Sequence, residues 1–459
     1  MEIIALSSVF LLSILAVMFY YGKAWGDTVT NFLFANRSLQ QLSTSLAISS
    51  HWFWAIAIFV GPAVAYNWGL IGLLWFAIPN GFSCVVVGYL AYKVREKYPD
   101  GVSLTQYAKE NFSPRIGGLY QLLFLLISLA ALLLAFTAIA KLWAFTALSS
   151  IISPIYASLL IGLVTLAFTV RGGIRTSIFT GAIQTCLWGT FLAVMTILML
   201  SSDTNLVLTG KNQLDTVFNY DFLTKFAVAF FISVTAAAAS HGMMWQKAFS
   251  MPRENIMKTY SLAGLIFTLI VIGLGFMGIY AFSADIKIGP ADTSQMHGLL
   301  ALGGSAALII FATLVIGQSS TVIDSSLNYV SSLVTLEWFK NDTVLLSRIV
   351  MVAFMTIAWL ISWAQIEIWT VLMFMAAIRI VMFVPLALHV LKQKLFESLV
   401  FYTSIVSVCT SIYFAWTART TGVAINDMYA ALIALGLPVT VYAIGIAVKK
   451  YSGDKLNAI

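Results

Sequence analysis

The sequence predicts an all-α polytopic membrane protein, and three observations carry that reading. The composition is 60% hydrophobic and only 9% charged, which excludes an ordinary soluble domain. Apolar runs able to cross a hydrocarbon core of about 30 Å recur about 13 times along the chain. Most Lys and Arg residues fall in alternate connections between those runs, the asymmetry expected when positive loops stay on the cytoplasmic side.

The runs cover 3–22, 40–66, 69–93, 115–145, 150–170, 176–201, 223–247, 257–283, 299–336, 345–364, 367–391, 398–418 and 427–448. Met1 and Glu2 supply no basic leader before the first run, and Lys23 follows it. That run is therefore expected to stay as a helix, with the N-terminus outside and the C-terminus cytoplasmic, in the plasma (inner) membrane. Positive loops account for the net charge of +7, so it calls for no nucleic-acid partner. Cys84, Cys186 and Cys409 lie inside apolar runs without CxxC or Cys/His spacing and read as small core residues. The polar stretch Arg95–Pro114 holds SLTQYAKENF, which patterns as a surface helix. No connection is long enough for a separate catalytic domain, and no obligatory protein partner is evident. Walker-type and GxGxxG patterns are absent, so energy is expected to come from an ion gradient.

Two runs carry interruptions. The second reads SLAISSHWFWAIAIFVGPAVAY, with Ser49, Ser50 and His51 near mid-depth and Gly61-Pro62 further out. The seventh reads FISVTAAAASHGMMWQKAF, where His241-Gly242 follows a string of small residues. Broken helices at matching places in two halves are the sequence mark of a transporter binding site, because freed carbonyls and helix ends can hold a cation and a polar solute. The two runs lie five apart and each opens a group of five, 40–201 and 223–391. Five is odd, so the second group crosses in the opposite sense, as an inverted repeat requires. One N-terminal and two C-terminal helices stand outside that repeat.

The ninth run ends in QSSTVIDSSLNYVSSLVTLE, Gln318 to Glu337. On a helix, Thr321, Ser325, Asn328, Ser332 and Thr335 share one stripe. Small residues alone would serve close helix packing. Asp324 changes that reading, since an ionisable group at this depth costs about 2.5–3.5 kcal/mol and faces a protein interior or a watery path. Arg379, mid-span in LMFMAAIRIVMF, needs a partner for the same reason. The two are expected to form a buried ion pair, with a coupling role for Asp324 as the alternative.

Four stretches, in order, carry a resemblance: NRSLQQLSTSLAISS, RGGIRTSIFTGAIQ (Arg171 to Gln184), MWQKAF (Met244 to Phe249) and DSSLNYVSSLVTLEWFK (Asp324 to Lys340). With them the chain resembles the sodium:solute symporter family from about Phe34 to Lys392, and VSSLVTLEWF looks most like its urea- and proline-type carriers. The resemblance implies a LeuT-type fold with 5+5 inverted repeats and alternating access around a central site. It also implies a sodium ion held by the carbonyls of Leu46, Ser49 and Gln318 and the hydroxyl of Thr321. Val322 stands where a ligating hydroxyl is usual, and Gly181 where the family commonly has Asp.

The resemblance places a solute-binding side chain at His241, beside Gly242, while Met243 fills the place of a gating aromatic in some relatives. Ser50, His51, Trp52 and Trp54 follow the first break, where the rings could cap a small solute. Trp245, Gln246 and Lys247 read as interfacial anchors, and Lys141 as a snorkelling end group. No spacing of paired carboxylates, nucleophile and base, or metal cluster points to an enzyme. The function read from all this is symport of a small polar organic solute, urea-, amino-acid- or osmolyte-like, with a cation that the resemblance makes sodium. An uncoupled facilitator, favoured by Val322 and Gly181, and a transporter-like sensor module are the alternatives.

Overall fold

The computed structural model describes residues 25–452 apart from 55, 145–146, 151, 341–342, 365, 367, 394 and 424. The expected first span, 3–22, lies outside the described residues. Every later expected span is met by helix, and no strand occurs among the described residues. Nine of the described helices are long and apolar enough to cross a membrane.

The elements are α1 (Val29–Phe34), α2 (Gln41–Trp52), α3 (Ile56–Lys97), α4 (Leu104–Asn111), α5 (Pro114–Ala144) and α6 (Pro154–Leu200). There follow α7 (Tyr220–Ser240), α8 (Gly242–Phe249), α9 (Ile256–Ser283) and α10 (Ser294–Ser332), which runs on through a π turn to Trp338. The chain continues with α11 (Val344–Ser362), α12 (Ile368–Val390), α13 (Glu397–Thr421) and α14 (Ile425–Ser452).

Two of the expected joints between spans are glycine kinks, each separating two helices, one within α3 and one within α6. The bend in α3 falls at Gly69 (φ 61, ψ −153) and that in α6 at Gly173 (φ 56, ψ −140). Only glycine adopts such a conformation without steric cost. At Gly173 a side chain would also strike the Phe32 carbonyl of α1.

Packing follows the logic of a membrane interior, where close backbone approach replaces a hydrophobic drive between helices. The most extensive contact is α3 against α9, and at its centre a Cβ on Gly264 would stand 2.3 Å from the Gly81 carbonyl. In the core α2 lies against α6, which packs along α10; α13 and α14 pair with each other and with α12.

One end of the bundle is tied by arginines that donate to freed carbonyls. Arg37 reaches Phe249 and Gly101, Arg95 reaches Ala248, Arg175 reaches Ala35, and Arg348 reaches Val170. Cations on carbonyls at helix ends satisfy orphan acceptors and oppose the helix dipole. The expected surface helix is α4, capped by Ser103, whose Oγ accepts from the Gln106 N–H. Glu337, in the π turn closing α10, accepts from Ser103, Thr105 and Gln121 and so fastens α4 to α5 and α10.

At the opposite end Lys141 does not snorkel; it pairs with Asp292 and lies 5.5 Å from the Phe59 ring. Trp245, Gln246 and Lys247 are not interfacial anchors but buried. The α8 segment sits inside the bundle, with Trp245 donating to Ala239 and Gln246 to Leu33. Of the cysteines, Cys84 is buried while Cys186 and Cys409 face outward.

Candidate functional site

Both interruptions are real, and they meet. The first falls slightly later than Ser49–His51: α2 continues to Trp52, and Phe53 leaves helical geometry (φ −90, ψ 78) before the π turn at Ile56–Val60. Serines in a membrane helix bond back to their own turn or sideways, so hydroxyls alone do not end it. The second falls at His241 (φ −99, ψ 115), between a 3-10 turn and α8. The His241 ring stands edge-on to Trp52 and Trp54, with centroids 5.2 and 5.0 Å away.

Gly242 is dictated by the neighbouring helix. A Cβ there would stand 1.9 Å from the Tyr329 ring of α10, which lies flat against the break. Met243 is buried beside it.

The expected site residues sort into three groups. In the first, Trp54 and Arg379 line a small cavity beside the first break with Trp52, Asn80, Phe230 and Ser233. It offers about 20 Å³ to water, room for about one molecule. Arg379, 2% exposed, places its Cζ 5.6 Å from the Trp54 ring centre and donates from Nη2 to His241 Nε2 at 3.0 Å. A guanidinium has only donors, so Nε2 is the acceptor and His241 is neutral with its proton on Nδ1. The Arg379 Nε–H is buried and unpartnered.

The second group surrounds Asp324, which is fully buried. Its Oδ1 accepts from the Ser177 hydroxyl at 2.7 Å and from Ser325 at 3.0 Å, and its Oδ2 from Thr180 at 3.1 Å. The expected Asp324–Arg379 pair does not form: one serves the α6–α10 contact, the other the cavity. The neighbour with a nitrogen is His51, whose Nε2 is 3.6 Å from Asp324 Oδ1 and 3.0 Å from Ser177 Oγ. His51 Nδ1 faces the Ala47 carbonyl, which only accepts, so Nδ1 carries a proton. His51 thus turns away from the cavity its tryptophan neighbours line. Gly181 makes room for it, since a Cβ there would meet His51 Cε1 at 3.3 Å and the Ala47 Cα at 3.1 Å. Asp324 of α10 accepts from Thr180, the residue before Gly181.

The third group is a knot of neutral oxygens between α2, α6 and α10. Thr321 donates to Gln184 Oε1, and Gln184 Nε2 donates to the Gly317 carbonyl at 2.7 Å. Ser50 donates to Gln318 Oε1 at 3.2 Å, and Gln318 Nε2 returns a hydrogen bond to the Ser50 carbonyl. The Leu46 carbonyl accepts from Thr185 at 2.8 Å, and the Ser49 hydroxyl is buried without a partner. The residues expected to hold sodium are therefore together, with Gln184 and Thr185 engaging two of them. Oxygens of this kind suit a hard cation. Gln184, Ser177 and Thr180 were not singled out in the sequence. Their spacing, three to four residues apart on one helix face, was the available signal. Among the described residues, no group of three or more His, Cys, Asp or Glu could hold a metal ion.

No protein-family model matches the chain, and no curated protein matches it. Solved structures do. One is a Na+-coupled sialic acid symporter in a substrate-bound, outward-open state: TM-score 0.70, 17% identity, 96% of this chain and 98% of that one covered. Another is MHP1, a nucleobase-cation-symport-1 family transporter, in a closed conformation with bromovinylhydantoin bound. It gives a TM-score of 0.60 at 14% identity over 91% of this chain and 94% of that one. The chain is an all-α polytopic membrane protein with the LeuT-type fold that these structures share.

Proposed function

We propose that the chain is a secondary active transporter that carries a small organic solute together with sodium by alternating access. The observation that carries this reading is the meeting of the two helix breaks, His241 of the second standing edge-on to Trp52 and Trp54 of the first, beside a cavity lined from both broken helices. Broken helices free backbone groups at membrane depth only where a protein interior or a ligand takes them up. The fold likeness supports the same reading, because a Na+-coupled sialic acid symporter shares the architecture.

Sodium is assigned to the knot between α2, α6 and α10: the carbonyls of Leu46, Ser49 and Gln318, the Thr321 hydroxyl, and the Gln184 amide oxygen in place of the side chain that Val322 lacks. Asp324, bonded to Ser177 and Thr180, supplies negative charge near that knot and couples α6 to α10. The arginine-rich end faces the cytoplasm under the positive-inside pattern, and the Lys141–Asp292 end faces outward. The direction of coupled transport is inward, across the plasma membrane.

Uptake into proteoliposomes tests the reading. Accumulation above equilibrium under an inward sodium gradient, abolished when sodium is equal on both sides, is the expected result. Equilibration at the same rate with and without the gradient would make the chain an uncoupled facilitator.

A further inference from the structure

The cavity at the breaks contains a cation with no opposite charge beside it. Arg379 is 2% exposed and, among the described residues, no carboxylate lies within ion-pair distance of it. Its Nη2 donates to neutral His241 and to the Met375 sulfur, and its Nε–H is buried with no acceptor. Asp324, the carboxylate at comparable depth, is engaged by Ser177, Ser325 and Thr180. A guanidinium at membrane depth is retained where it pairs with something, and Arg379 lines the cavity.

The remaining lining defines what fits. The hydroxyl of Ser233 and the indole N–H of Trp54 have no partner among the described residues, so two further donors face the same space. Phe230, Val234 and Phe267 make the rest apolar. No acidic side chain lines the cavity to receive an ammonium group.

We propose that the transported solute is an organic monocarboxylate without a cationic group. Its carboxylate takes the Arg379 Nε–H and an adjacent Nη–H in the two-point geometry that guanidinium favours. Its apolar body packs against Trp52, Trp54 and Phe230 once the cavity opens. This rests on the transporter reading and narrows it: urea-like solutes lack the charge, and zwitterionic amino acids bring an ammonium with no partner.

The test is titration of the purified protein in nanodiscs containing sodium, read by the fluorescence of the tryptophans at the site. The probes are propionate, lactate and benzoate, each set against its own amide, with benzylamine as the cationic counterpart. At least one acid is expected to give a saturable signal with an affinity at least tenfold above that of its amide and of benzylamine. Arg379→Gln is expected to lower acid affinity at least tenfold, and Arg379→Lys to restore part of it. Equal affinity for acid and amide, no response to any acid, or an Arg379→Gln variant that binds acids normally would each overturn the assignment. The acid-against-amide comparison uses the unaltered protein, so it holds even if the glutamine variant does not fold. Acid binding without sodium-driven acid uptake would overturn the transporter reading and leave the anion site standing. Sodium-driven uptake of urea or glucose, indifferent to added acids, would do the reverse.

Discussion

At the scale of single residues, the chain's chemistry rests on where two isolated charges find partners. Asp324 is met by hydroxyls from α6 and by His51, and Arg379 by His241 and the face of Trp54. A cation–π contact recovers about 0.5–2 kcal/mol, less than a buried guanidinium loses in leaving water, which is why Arg379 matters to the site and not only to packing. The importance of both charges was legible in the sequence, because charge at membrane depth is costly wherever it occurs. Their partners were not. Ser177 and Thr180 lie well over a hundred residues from Asp324 in a stretch whose glycines drew attention, and only the fold brings α6 against α10.

Two substitutions follow at this scale. Thr321→Ala removes the hydroxyl that meets Gln184, and is expected to raise the sodium concentration for half-maximal uptake about tenfold, a loss of about 1.4 kcal/mol. Thr335→Ala, whose hydroxyl accepts from Ser347 at 3.1 Å at the far end of α10, is expected to change it less than about twofold. Equal effects in a sodium titration would remove Thr321 from the ligand set. Gly242→Ala drives a methyl into the Tyr329 ring and is expected to cost about 1–3 kcal/mol by overpacking. Gly189→Ala, with open space around it, is expected to stay within about 0.5 kcal/mol. Thermal unfolding of the two purified variants makes that comparison.

At the scale of elements, hydropathy located the helices well because each must bury its backbone polarity within itself in lipid. It also located two of the joints: the expected turns at 66–69 and 170–176 are the kinks at Gly69 and Gly173, where glycine lets the chain change direction between two helices. The first break was expected at the serines and histidine but falls beyond Trp52, because Ser50 and His51 find partners across the helix interface. The latch at the end of α10 was invisible in sequence, because the donors to Glu337 lie more than two hundred residues away. Its three donors on α4 and α5 imply that Glu337→Ala releases the surface helix. Amide exchange across Leu104–Asn111 is expected to rise about tenfold or more, given about 1.5–3 kcal/mol for hydrogen bonds to a charge. Unchanged exchange there would mean that α4 is held by its apolar face alone.

At the scale of the whole molecule, the three residue groups lie on different pairs of moving parts. The cavity joins the two broken helices, the oxygen knot joins α2 to α6 and α10, and Asp324 ties α6 to α10. Under the proposed function, cation binding at the knot would bear on how α2 sits against α6 and α10, and solute binding on how α2 sits against α7 and α12. The Lys141–Asp292 pair lies at one end of the bundle and the arginine-bound carbonyls at the other. Under the proposed function, alternating access requires the cavity between the broken helices to open to one side of the membrane at a time.

That claim is tested most directly by a single cysteine placed at Ser233 in a variant with Cys84, Cys186 and Cys409 replaced by alanine. The cysteine is labelled in oriented vesicles with a membrane-impermeant thiol reagent added to one side at a time. The account predicts labelling from either side, never from both at once, with sodium shifting reactivity towards the outer face. Simultaneous labelling from both sides would show a continuous channel, and labelling from one side under every condition would show a site that does not alternate.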